Sequence, residues 1–73
     1  MSSSEVARLR EQVELEYAAM MQGLTGFAEG SAMHAFISAR MARVEGYHDK
    51  LAQELGEDEA TQIICDLYNK ATG

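Results

Sequence analysis

The sequence predicts an all-α fold: a long antiparallel helical hairpin over residues 4–28 and 32–55, followed by a short C-terminal helix over residues 58–71. Three observations predict it. Apolar residues recur at intervals of three and four, no proline interrupts them, and glycines stand where turns are expected. The chain has 73 residues, of which 47% are hydrophobic and 25% are charged. That balance is typical of one globular domain, which we assign to residues 1–73.

The first predicted helix opens with a capping signal. Ser2 and Glu5 have the capping-box spacing, in which two side chains satisfy the free amides of a helix start. Its apolar stripe consists of Val6, Leu9, Val13, Tyr17, Met20, Met21, Leu24 and Phe27. A helix that stops near Gly23 is the alternative. The stripe continues past that glycine, which favours a helix to residue 28 and a turn at Gly30.

The second and third predicted helices have similar signals. Ser31 is expected to cap the second helix, and Gly56 is expected to end it in a left-handed conformation. Glu57 or Asp58 is expected to cap the third helix. The third stripe consists of Ala60, Ile63, Ile64, Leu67, Tyr68 and Ala71.

The width of the apolar stripes predicts self-association. Two helices bury only the strip where they touch, and a third helix about half as long covers part of the remainder. We therefore expect a homo-oligomer in which two hairpins pair into a four-helix-type bundle, with a three-helix monomer as the alternative. The expected interface residues are Val13, Tyr17, Met20, Leu24, Met33, Ile37, Arg40, Val44, Tyr47 and Leu51.

The charge balance argues against nucleic-acid binding. Twelve acids and six bases give a net charge of −6, whereas phosphate binding requires an excess of Lys and Arg. Residues 45–66 contain seven acids and a single base, Lys50. This segment is either a solvated surface or a docking surface for a basic protein. The apolar runs are too short to span a membrane, and a single Cys65 suits the reducing cytoplasm, where we expect the protein.

One pair of residues has a spacing that is typical of metal ligands. Glu45 and His48 form a Glu-x-x-His pair, which resembles the ligand motif of ferritin-like di-iron proteins. The resemblance implies that Fe or another divalent metal would bind these two residues together with Glu14 or Glu16, at a site formed on dimerisation. A hydrogen-bonded, partly buried His48 is the preferred interpretation, since Gly46 disfavours helix between the two ligands. We therefore expect no cofactor.

Arg40 interrupts the apolar stripe of the second helix. It is expected either to extend toward solvent or to pair with Glu16 or Glu14 and so set the register of the bundle, and an anion-binding arginine is the functional alternative. Neither a nucleophile elbow nor a phosphate-binding loop occurs in the sequence. The sequence therefore predicts a non-catalytic, self-associating helical interaction and assembly module, and a metal-dependent oxidase is the enzymatic alternative.

Overall fold

The computed structural model describes residues 3–26 and 30–73, and within them it contains three helices and no strand. They are α1 (Ser3–Gly26), α2 (Ser31–Leu55) and α3 (Glu57–Thr72). This confirms the all-α class and three helices close to the predicted bounds. Ser2 and residues 27–28 lie outside the described residues, so the predicted capping box and the predicted end of the first helix are not described.

Gly56 ends α2 as its C-cap with a positive φ, as predicted, but the predicted N-caps of α2 and α3 are wrong. Ser31 is already helical, and Gly30 occupies the N-cap position without a side-chain hydrogen bond. Between α2 and α3 there is a single residue, Gly56, so neither acidic residue is available as a cap. The Gly56 amide donates to the carbonyl of Ala52 (2.8 Å) and its carbonyl accepts from Ala60 (3.1 Å). Its φ of 92° is disfavoured for residues with a Cβ, which explains the glycine.

All three helices contact one another and share one core. Contacts between α1 and α2 run in opposite order along the two helices, because Gly23 lies against Phe36 whereas Glu16 pairs with Arg40. The buried core consists of Leu9, Val13, Tyr17, Met20, Val44, Leu51, Ala60, Ile63 and Leu67. Burial of each large apolar side chain contributes about 1.5–3 kcal/mol.

α3 covers only part of the other two helices. It has 16 residues, against 24 in α1 and 25 in α2. Its last turns lie beside the middle of α1, where Lys70 bonds Glu14 at 2.9 Å and the ring of Tyr68 meets that of Tyr17. Residues 19–26 of α1 continue past this level for roughly 12 Å of helix. We call this part of α1, together with residues 31–37 of α2, the free end.

The described helices do not include a membrane-spanning segment: none combines the length and the apolar character that crossing requires.

Candidate functional site

An open groove runs between α2 and α3. Its volume is about 320 Å³, and it is lined by Tyr17, Met41, Val44, Glu45, His48, Thr61 and Ile64. Tyr17 and Val44 are buried and form its floor, whereas the Met41 side chain is 43% exposed. We call this feature the α2–α3 groove. Its surface is mainly apolar and accessible, which is typical of a site that binds another apolar surface.

Tyr68 extends the apolar surface toward the end of α3. Its ring meets the Tyr17 ring edge-on, with centroids 5.5 Å apart and planes at 74°, and it is 44% exposed. Burial raises the pKa of the Tyr17 hydroxyl above its usual value, with further contributions from Cys65 and Tyr68. The groove floor therefore stays uncharged well into the alkaline range.

His48 is a partly buried, hydrogen-bonded residue at one end of the groove. Its Nε2 shares a 3.0 Å hydrogen bond with Thr61 Oγ1, which connects α2 to α3. The carboxylates of Asp49 and Glu57 lie 3.8 Å from Nδ1 and 3.6 Å from Nε2. Both carboxylates are exposed, so their electrostatic interaction with the imidazole is weak and screened by solvent.

The Thr61–His48–Asp49 arrangement resembles the order of a nucleophile, base and acid, but its geometry does not suit catalysis. The 3.8 Å separation of Nδ1 and Asp49 exceeds a hydrogen bond, and Asp49 is 72% exposed. Thr61 is the fifth residue of α3, so its own backbone amide bonds within the helix and is not available to stabilise an oxyanion.

The four predicted metal ligands are distributed over three places. Glu45 and His48 line the α2–α3 groove. Glu14 Oε2 accepts a hydrogen bond from Lys70 (2.9 Å), and Glu16 Oε1 accepts one from Arg40 (2.8 Å). Within the part of the chain that the structure describes, no three His, Cys, Asp or Glu side chains form a group that could hold a metal ion. One copy of the chain therefore does not assemble the ferritin-like ligand set from these residues.

Glu16 and Arg40 form a largely buried ion pair between α1 and α2. Glu16 is 7% exposed, and Arg40 packs over the Phe36 ring with its guanidinium carbon 5.2 Å from the centroid. Arg43 Nη1 lies 3.7 Å from the second Glu16 oxygen. This is the register pair that the sequence predicts. The guanidinium of Arg40 binds Glu16 within the chain, which argues against its use as an anion-binding site.

The predicted interface residues fall into two groups. Five belong to the buried core that the helices of the single chain share: Val13, Tyr17, Met20, Val44 and Leu51. A second copy that docks on the folded chain cannot contact their side chains extensively. Met33, Ile37, Arg40 and Tyr47 are half-buried, and the side chain of Leu24 lies outside the described residues.

Sequence reasoning missed the α2–α3 groove. Met41 belongs to the apolar stripe of the second predicted helix, between Ile37 and Val44. Ile64 and Tyr68 belong to the third stripe, and all three residues were expected to be buried in the core or in an interface. The position of Met41 at the edge of its stripe was the available signal. Periodicity cannot show which edge α3 leaves uncovered, since that depends on how the three helices are arranged.

No protein-family model matches the chain, and neither the curated proteins nor the solved structures searched contain a significant match.

Proposed function

We propose that the chain is a non-catalytic, self-associating helical interaction and assembly module. In this proposal α1 and α2 form an antiparallel hairpin, and the free ends of two copies pair into a local four-helix-type bundle. The observation that carries the proposal is the short α3, whose last turns meet α1 between Glu14 and Met21, whereas α1 continues to Gly26. The free end is therefore a two-helix layer, which buries apolar side chains on one side only.

Apolar residues at the free end support this pairing. Met33 and Ile37 are half-buried in the single chain, and both belong to the predicted interface. Ile37 packs at the margin of the core, so a second copy would complete its burial. The flexible side chain of Met33 suits an interface between identical surfaces, because it adapts to irregular gaps.

The distribution of charge also favours contact through the free end. Residues 17–44 contain one acid, Glu29, and two bases, Arg40 and Arg43. Residues 45–66 contain seven acids and one base. Two chains of net charge −6 therefore repel each other least when their free ends meet and their acidic segments, residues 45–66, stay apart.

The cellular location that we propose is the cytoplasm. Cys65 is a free, exposed thiol without a second cysteine to pair with. A reducing compartment keeps such a thiol from forming disulfides with other molecules.

Sedimentation equilibrium of the full chain over a range of concentrations tests the self-association. We expect a mass twice that of the 8.0 kDa chain, and a single-chain mass for Met33→Glu, which places a charge in the paired surface. Leu15→Glu is the matched control, since Leu15 is 56% exposed on α1 and its replacement adds the same charge. A wild-type chain that stays at 8.0 kDa throughout, or a Leu15→Glu variant that alone dissociates, would contradict the proposal.

A further inference from the structure

Three of the four basic side chains of α2 and α3 form ion pairs with acids of α1. Arg40 and Arg43 pair with Glu16, and Lys70 bonds Glu14. Lys50 lies near Glu5, whose pKa is lowered chiefly by Arg8 and also by Lys50. These are the only Lys and Arg residues of the two helices. Three of these four positive charges are therefore directed toward α1, and none of the four side chains lines the α2–α3 groove.

The groove consequently has an acidic margin around an apolar floor. Glu45 lines it, and Asp49 and Glu57 flank His48 at one end. None of the groove-lining residues is Lys or Arg. An apolar strip with acids along its edges is complementary to a helix that has an apolar face and basic flanks.

The length of the groove fits two turns of a bound helix. Its α2 wall extends from Met41 to His48, a span of seven residues or about 10 Å. A docked helix contacts such a groove through apolar residues at positions i, i+3 or i+4, and i+7, which cover the same distance. The exposed side chains of Met41 and Tyr68 would be covered by this contact.

We propose that the α2–α3 groove binds an amphipathic helix of another protein, with apolar anchors at i, i+3 or i+4 and i+7 and with Lys or Arg beside them. The inference rests on the interaction-module function, but it uses a different surface from the free end and does not depend on self-association. Two copies that pair groove to groove fit less well, because each would bring Glu45 and the other acids of residues 45–66 against like charges.

Synthetic peptides test the recognised chemistry. The probe is a fluorescent amphipathic helix of about 18 residues, made of Leu, Ala and Lys with Leu at the anchor positions. One control peptide has the same composition in scrambled order, and another has Glu in place of Lys. By fluorescence anisotropy with the full chain, we expect the amphipathic basic peptide to bind on the order of tenfold more tightly than either control. Equal binding of the scrambled peptide would overturn the proposal, since it would show attraction to net charge alone.

A pair of variants with equal charge tests the location. Met41→Glu places a carboxylate in the groove, whereas Leu15→Glu adds the same charge on a remote part of α1. We expect roughly tenfold weaker peptide binding for Met41→Glu and wild-type or slightly tighter binding for Leu15→Glu. Glu45→Gln should weaken binding about threefold and reduce its salt dependence. Equal affinities for Met41→Glu and Leu15→Glu would overturn the proposal.

The monomeric Met33→Glu variant separates this inference from self-association. The variant should bind the basic peptide as the wild type does, because Met33 does not line the groove. If Met33→Glu binds the peptide but the self-associated wild type does not, a second copy occupies the groove and the inference is wrong. If the wild type is monomeric and still binds the peptide through Met41, the inference stands without the proposed self-association.

Discussion

The Glu16–Arg40 pair allows a quantitative test of how the two long helices keep their register. Arg40→Met removes the 2.8 Å hydrogen bond and leaves the Glu16 side chain, which is 8% exposed, without its main partner. Removing one partner of a fully buried pair costs about 3–5 kcal/mol. The cost here should be smaller, because Arg43 remains 3.7 Å from Glu16 and Arg40 is itself 29% exposed. We therefore expect Arg40→Met to destabilise the chain by about 2 kcal/mol.

The complete double-mutant cycle separates pairing from packing. Glu16→Leu alone should cost about 1 kcal/mol, since Arg40 can extend toward solvent. The double variant Glu16→Leu/Arg40→Met should lie within about 1 kcal/mol of the wild type, because apolar groups can replace a buried pair at little cost. The free energy of unfolding is measured with urea and far-UV circular dichroism, in the Met33→Glu background so that self-association does not contribute. Destabilisations that add to within about 0.5 kcal/mol would refute the role of the pair.

Three further predictions concern glycine packing, tyrosine ionisation and metal. Gly23→Ala should destabilise the chain by about 1 kcal/mol, because the added Cβ would lie 2.5 Å from the Phe36 ring. Gly46→Ala should stabilise the chain by about 0.5–1 kcal/mol, because no atom lies within 4 Å of the added Cβ and alanine favours helix. Urea unfolding measures both changes. Burial raises the pKa of the Tyr17 hydroxyl in the folded state. The neutral hydroxyl should therefore contribute fully to the free energy of unfolding below about pH 10, and this contribution should decline as the pH rises through the folded-state pKa. Tyr17→Phe should remove this component of the alkaline loss, and unchanged curves for the two proteins would refute it. Loading with Fe(II) or Zn(II) followed by desalting should leave less than about a tenth of an equivalent by elemental analysis, and a full equivalent would favour the ferritin-like alternative.

Helix content and one long-range contact could be predicted from the sequence. The 3.6-residue period identifies all three helices, because side chains on one face of a helix share one environment. The position of Arg40 in an apolar stripe predicts that it either extends to solvent or pairs with Glu16 or Glu14, and the structure contains the Glu16 pair. The helices follow from the local sequence pattern, and the pairing of Arg40 follows from the cost of burying one charge.

The arrangement of the third helix could not be predicted in the same way. Residues such as Val13 and Leu51 were expected to face a second copy, but they belong to the buried core that the helices of the single chain share. A stripe shows that a residue is buried and does not show what buries it. The same limit explains the missed groove, because the exposed edge at Met41 follows from the angle between α2 and α3. The predicted N-caps of α2 and α3 were wrong because glycines with positive φ, Gly30 and Gly56, occupy both N-cap positions.

The pairing of free ends is tested most directly by isotope-filtered NMR on an equal mixture of unlabelled chains and chains with ¹³C-labelled methionine methyls. The five methionines of the sequence serve as reporters. We predict intermolecular nuclear Overhauser effects at the Met33 methyl and none at the Met41 methyl, which lies in the open groove. Intermolecular effects at Met41 without any at Met33, or their absence from every methionine, would contradict the account.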